Sequence, residues 1–109
     1  MSTILKIDFD WDPPFRFMED WRELCRWVLR GYHVEGFGVE TSPSGMGLHI
    51  RIFLREDLDD MEVLRLQFLL GDDRTRCRLN YLRMMKGIRH WNKLFVRRVQ
   101  RRSRPQDEQ

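Results

Sequence analysis

The segment SPSGMGLHIRIFL, residues 42–54, decides the fold, because a turn opens directly into an alternating strand. Serine, proline and glycine fill its first part, and these are the residues that turns favour. From Leu48 onward apolar and other side chains alternate, which predicts a strand over about residues 47–55. The face that begins at Leu48 is apolar, and the opposite face carries His49, Arg51 and Phe53.

The N-terminal stretch ILKIDFDW, residues 4–11, has the same alternating form. Its apolar positions share one face, and Lys6, Asp8 and Asp10 share the other. We expect a strand over about residues 3–11, ended by the two prolines at positions 13 and 14. If the two strands are neighbours, both carboxylates and the His49 imidazole meet on one surface. Such a surface suits Mg²⁺ or Mn²⁺, so Asp8 and Asp10 are the predicted metal ligands.

The remaining elements are read from periodicity. Apolar spacing predicts helices over about residues 15–30 and 57–70, and alternation predicts strands over about residues 34–41 and 74–82. Residues 91–99 fit either a fifth strand or a short helix, and the pattern leaves both open.

The order β-α-β-β-α-β predicts an α+β fold of the ferredoxin-like (RRM-like) type, a two-layer sandwich. It has an antiparallel sheet of four or five strands with two helices on one face. The strand at 74–82 would flank the first strand and bring Arg76, Arg78 and Asn80 to the open face. We expect a single domain over residues 1–99 and a basic, disordered tail over residues 100–109.

Charge is distributed unevenly along the 109 residues. The net charge is +3, but residues 1–60 carry −5, residues 61–88 carry +3 and residues 89–109 carry +5. A basic second half predicts contact with a polyanion, DNA or RNA. The arginines expected to contact phosphates are Arg76, Arg78, Arg97, Arg98, Arg101 and Arg102.

No apolar run reaches the ~20 residues that a membrane helix needs, and the N-terminus lacks the apolar core of a signal peptide. We therefore expect a cytoplasmic protein with no membrane partner. Cys25 and Cys77 belong to no metal-ligand spacing, and they are expected to be buried free thiols or a single disulfide.

The glycine-rich turn is a candidate phosphate site. Ser44, Gly45 and Gly47 supply backbone amides, and His49 and Arg51 supply side-chain donors. The same residues also fit a plain hairpin turn followed by an exposed histidine. The acidic pair likewise fits a charged sheet edge without a metal ion. The combination of the two patterns on neighbouring strands favours a site.

The Ile7-Asp8-Phe9-Asp10 strand followed by the Ser44–His49 turn resembles the first two motifs of the archaeo-eukaryotic primase superfamily. It is more similar still to small stand-alone relatives of that fold in archaea and their viruses and plasmids. The turn at residues 69–73 and the segment at residues 91–95 also resemble parts of that pattern. The resemblance implies that Asp8 and Asp10 hold catalytic divalent metal ions and that His49 contacts the phosphates of an incoming nucleoside triphosphate.

The chain departs from the family pattern at its third motif. The family supplies a further carboxylate there, and the aligned position is Asn80, which contributes no charge to a metal site. The expected function is thus a small nucleic-acid-associated replication protein that binds metal and nucleotide, with little polymerase activity and with other replication proteins as partners. One alternative is a non-enzymatic module that binds single-stranded nucleic acid. A remoter one is a replication-initiator nickase, for which Tyr81 is the candidate nucleophile.

Overall fold

The computed structural model describes residues 2–42 and 45–92. Its elements follow the order β1 (Thr3–Phe9), α1 (Phe15–Val28), β2 (Val34–Thr41), β3 (Leu48–Leu54), α2 (Asp60–Leu69) and α3 (Arg74–Met85). The first three strands were expected within two residues of these bounds. The helix expected to begin at residue 57 begins later, because the Asp59 side chain accepts a hydrogen bond from the Glu62 amide (2.8 Å) and caps α2.

The described residues form an α+β structure with a three-stranded antiparallel sheet in the order β1-β3-β2. The adjacency of β1 and β3 is confirmed, and Asp8 lies directly opposite His49 in their register. The apolar faces of β1 and β3 are covered by α1 and α2. Phe9 contacts Trp21 edge to face (centroids 5.7 Å apart), and the Trp21 indole donates to the Leu70 carbonyl (2.7 Å). These contacts fix both helices on one face of the sheet.

The expectation of a fourth strand over residues 74–82 is wrong, because this segment forms α3. The Asp73 side chain accepts a hydrogen bond from the Arg76 amide (2.9 Å), which starts a helix. The buried positions of α3 are Arg76, Cys77 and Asn80, spaced as one helical face rather than one strand face. Among the described residues the sheet therefore has three strands and not four or five.

Three side chains and one backbone amide, instead of a strand, satisfy the free edge of β1. The Lys6 amide donates to Gln67 Oε1 (2.8 Å), and the Lys6 carbonyl accepts from Arg76 Nη1 (3.0 Å). Two residues further on, the Asp8 amide donates to Asp72 Oδ1 (2.8 Å), and the Asp8 carbonyl accepts from the Asp73 amide (2.9 Å). These four bonds replace the ladder of the expected fourth strand and pin the α2–α3 turn against β1.

The last described residues close the same edge. Trp91 is buried in the core, and the Asn92 side chain exchanges hydrogen bonds with Gln67 (2.8 and 3.1 Å). Residues 91 and 92 belong to neither a strand nor a helix. The rest of the segment predicted as strand or helix, residues 93–99, lies outside the described residues, as do the predicted tail over residues 100–109 and the domain end at residue 99.

Candidate functional site

The strongest candidate is the Asp8–His49 pair on the polar face of the sheet, the face that carries Lys6, Asp8, Glu40, His49 and Arg51. His49 Nε2 lies 3.5 Å from Asp8 Oδ1. The Asp8 backbone is bonded on the side away from β3, so this is a narrow cross-strand pair in which side chains approach closely. The meeting of these two residues was expected from the alternation of β1 and β3, and it is confirmed.

The pair is much less exposed than an open face predicts. The side chains of His49 and Asp8 are 4% and 16% exposed. Burial raises the pKa of Asp8 above its usual value of 3.8, and burial lowers the pKa of His49 below 6.5, although each partner opposes the shift of the other. At neutral pH the imidazole is therefore predominantly neutral, with a nitrogen available to a cation or a proton.

A like-charged pair lies beside Asp8 and His49. Lys6 is directly opposite Arg51 in the register of β1 and β3. Burial lowers the pKa of Lys6, and the positive charges of Arg51 and Arg76 lower it further. Arg51 is balanced in part by Glu40, at 2.9 Å, whereas the recorded acceptor of the Lys6 ammonium is the Asn92 carbonyl (3.1 Å). Two cations facing each other across strands favour a bound anion.

The glycine turn has a structural reason that does not involve an anion. A Cβ atom on Gly47 would lie 2.0 Å from the Phe9 carbonyl oxygen, so only glycine lets the turn approach β1. The Gly45 amide donates to the Ser42 carbonyl (2.8 Å), and Gly45 has a φ angle of 77°. That amide is thus engaged within the turn, contrary to its expected role at a phosphate. Ser44 lies outside the described residues.

Asp10 lies beyond the end of β1, in an exposed bend. It is near enough to Asp8 for its negative charge to raise the pKa of Asp8. The strict alternation expected for the two acids therefore holds for Asp8 alone. Asp10 approaches the site from this bend, where its Cα atom lies 3.2 Å from the position that a Cβ atom on Gly47 would occupy.

Arg76 is not on the open face, which corrects its expected role at phosphates. Its side chain is 1% exposed and bonds Asp72, whose side chain is 0% exposed. Burial raises the pKa of Asp72 to about 6 in spite of the Arg76 charge. Arg76 also reaches Asn92 (2.9 Å), so it joins α3 to β1 and to the end of the described chain. Its function in the structure is to hold the edge of β1.

The other predicted residues of the absent fourth strand also lie elsewhere. Asn80 is fully buried in α3, where its Oδ1 accepts from Arg83 (2.9 Å) while its Nδ2 has no hydrogen-bond partner among the described residues. It therefore does not stand in a strand beside Asp8 as a third ligand position. Arg78 is exposed on α3. Arg97, Arg98, Arg101 and Arg102 lie outside the described residues.

Asp8 and His49 fit a shared cation as two of its ligands. Ligands about 2.1 Å from a metal ion, at angles of 90–110°, lie about 3.0–3.4 Å apart, close to the observed 3.5 Å. Within the described ranges no group of three or more His, Cys, Asp or Glu side chains could hold a metal ion. A cation here needs ligands from water or from a phosphate, as Mg²⁺ often has.

Sequence reasoning missed the residues that support the site. Gln67, Asp72 and Asn92 bind the backbone of β1 or one another, and no local pattern marks them. Cys25 and Cys77 are free and buried, which confirms one of their two interpretations. The described helices are too short and too polar to cross a bilayer.

The chain is similar to a protein named uncharacterized protein 30, from Sulfolobus islandicus filamentous virus (isolate Iceland/Hveragerdi). The two are 39% identical over 101 residues, which cover 87% of this chain and 38% of the viral protein. The chain thus spans well under half the length of that relative. No family model matches the chain, and no solved structure matches it.

Proposed function

We propose that the protein is a small nucleic-acid-associated replication protein that binds a divalent cation together with nucleotide phosphates at Asp8 and His49. The observation that carries the proposal is the 3.5 Å Asp8–His49 pair next to the like-charged Lys6–Arg51 pair. A carboxylate and a neutral imidazole suit a metal ion, and two facing cations, of which Arg51 is balanced only in part by Glu40, suit a phosphate. The two halves of the site are neighbours on the same face.

The fold is part of this proposal. A primase-like derivative of the ferredoxin-like sandwich, in which α3 and its side chains take the place of the fourth strand, accounts for the order of the first five elements. Similarity to a protein of a Sulfolobus virus supports an origin in an archaeal virus or plasmid. The host cytoplasm is the proposed place of action. Other replication proteins remain proposed partners.

Little or no primer synthesis is expected from such a site. Phosphoryl transfer assisted by two metal ions needs several anionic ligands. Among the described residues the polar face offers Asp8, Asp10 from its bend, and Glu40, which is already paired with Arg51. The proposed activity is therefore binding of a metal–nucleotide complex. The nickase alternative is weaker, because it needs a pair of histidines on a strand and β3 carries His49 with Arg51 in the second position, although Tyr81 does lie on a helix.

Coupled binding of Mn²⁺ and a nucleoside triphosphate tests the proposal. Free Mn²⁺, measured by electron paramagnetic resonance, should fall more steeply on adding protein when the triphosphate is present, because phosphate oxygens complete the coordination. Asp8→Asn and Asp10→Asn should abolish this binding, and Asp20→Asn, an exposed carboxylate on α1, should leave it unchanged. Circular dichroism shows whether each variant is folded.

The pH dependence adds a second readout. Burial raises the pKa of Asp8 above 3.8 and lowers that of His49 below 6.5, and a bound metal ion competes with the proton at each group. Mn²⁺ affinity should therefore fall as the pH is lowered and the two groups take up protons. Equal binding by the wild type and a folded Asp8→Asn variant would show that the pair is not a metal site.

A further inference from the structure

A groove between α2 and α3 lies apart from the Asp8–His49 site. It encloses about 560 Å³, and its floor is formed by Leu64 and Cys77, which are buried. Two aromatic side chains line it and remain exposed, Phe68 at 57% and Tyr81 at 39%. Aromatic rings at the wall of an open groove are available for stacking against a flat ligand.

The rim of this α2–α3 groove is basic. Arg65, Arg74 and Arg78 line it, and Arg65 is paired with Glu62. Neither Arg74 nor Arg78 has a carboxylate within 4.0 Å among the described residues. They are four residues apart on α3, about 6 Å along its axis, where like charges repel. A polyanion along α3 would relieve this repulsion.

We propose that the α2–α3 groove binds single-stranded nucleic acid, with bases stacked on Phe68 and Tyr81 and phosphates held by Arg74 and Arg78. A basic rim beside exposed aromatic rings is the combination that such strands require, since phosphates need the charge and bases need the rings. The inference deepens the proposed function by giving it a nucleic-acid surface. It needs no metal ion, so it can be tested apart from the Asp8–His49 site.

Binding of a fluorescein-labelled 15-nucleotide strand, as DNA and as RNA, is measured by fluorescence anisotropy in EDTA. Arg74→Gln combined with Arg78→Gln should weaken binding about tenfold or more at 0.1 M salt and lower the salt slope by about 1.4. The matched control is Arg16→Gln combined with Arg22→Gln, two exposed arginines of α1 that have no carboxylate within 4.0 Å in the described part of the chain. This control removes the same charge and should change binding less than twofold.

The stacking part has its own variants. Phe68→Leu keeps an apolar side chain but removes the ring, and it should weaken binding roughly 5- to 100-fold. Phe68→Tyr keeps a ring and should bind as the wild type does. Phe68 is exposed, so neither variant disturbs the core.

Several results would overturn the inference. Equal losses in the α3 and α1 double variants would indicate diffuse attraction to the whole surface. A loss in the α3 variant with none in Phe68→Leu would indicate a site for charge alone, such as an acidic protein segment. Absence of binding in EDTA would disprove the groove site. It would not affect the proposed Mn²⁺ binding at Asp8, which has its own test.

Discussion

Gly47 shows how one residue positions the candidate site. The Cα hydrogen that stands where other residues have Cβ faces the backbone of β1, and a methyl group there would lie 2.0 Å from the Phe9 carbonyl oxygen and 3.2 Å from the Asp10 Cα atom. Phe9 is part of the buried core, so β1 has little freedom to retreat. The turn that leads to His49 therefore depends on a missing side chain at this position.

Gly47→Ala should lower the free energy of unfolding by about 3 kcal/mol, because the clash is with backbone atoms. Gly45→Ala is the matched control in the same turn. Its φ angle of 77° costs an alanine about 1–2 kcal/mol, but nothing lies within 4 Å of its Cβ position. Urea unfolding followed by circular dichroism measures both values. A loss from Gly47→Ala no larger than that from Gly45→Ala would contradict the close approach.

The buried Arg76–Asp72 pair predicts a stability that depends on pH. The pKa of Asp72 is raised to about 6, and Arg76 is what opposes a larger rise. A raised pKa means that the folded state holds this proton more tightly than the unfolded chain. The stability that comes from this carboxyl group is present at low pH and is lost as the pH rises through the folded pKa.

Arg76→Met should therefore cost about 3–5 kcal/mol at pH 8, where Asp72 must either stay charged without its partner or take up a proton, and less at pH 5, where it is already largely protonated. Arg65→Met removes an exposed arginine that pairs with Glu62, and it should cost less than about 1 kcal/mol at both pH values. Urea titrations at the two pH values measure the difference. A cost of Arg76→Met that is the same at pH 5 and pH 8 would disprove the coupling.

At the scale of elements, the hydrogen bonds at the free edge of β1 determine which backbone groups of β2 point toward β3 and which point away. The Lys6 backbone is bonded to Gln67 and Arg76, so the backbone of its partner Arg51 points away from β1 and toward Gly38. The neighbouring residue Val39 then has its amide directed away from β3. β2 is the last strand of the described sheet on that side.

Proline substitutions test this register. Val39→Pro should keep the fold, since it removes an amide that makes no bond to β3, and Val39 is 58% exposed. Gly38→Pro should unfold the sheet or cost at least about 1–3 kcal/mol, because it leaves the Arg51 carbonyl without its donor. Thermal unfolding by circular dichroism compares the two. If Val39→Pro proves the more damaging, the register is displaced by one residue.

How much the sequence predicts differs between elements for a physical reason. β1 and β3 alternate because one face of each is buried, and that alternation indicated the meeting of Asp8 with His49. β2 also alternates in sequence, although none of its residues is buried. In α3 the apolar residues Cys77, Leu79 and Tyr81 also alternate, which imitates a strand. The helix is set instead by its Asp73 cap and by the burial of Arg76 against partners distant in sequence. Long-range polar partners leave no local pattern.

At the scale of the whole molecule, the acidic and basic segments of the sequence do not correspond to separate acidic and basic surfaces. The acidic residues 1–60 supply the polar face, yet that face also holds Lys6 and Arg51. The basic residues 61–88 split between the buried Arg76, which supports β1, and the exposed Arg74 and Arg78 at the α2–α3 groove. Net charge therefore overstates how much of this segment is available to a polyanion.

The whole charge distribution can be tested with the four arginines beyond residue 92 that the sequence predicts to contact phosphates. Replacing Arg97, Arg98, Arg101 and Arg102 with glutamine should weaken binding of single strands alike for all sequences and lower the salt slope by up to about 2.8. Contacts at distant, independent sites add, so joining these changes to Arg74→Gln and Arg78→Gln should lower the slope by about 4.2. Anisotropy titrations from 50 to 300 mM salt give each slope. A combined effect no larger than that of the four arginines alone would mean that the two sets of arginines compete for the same phosphates, and the nucleic acid would then follow one path over the molecule instead of two.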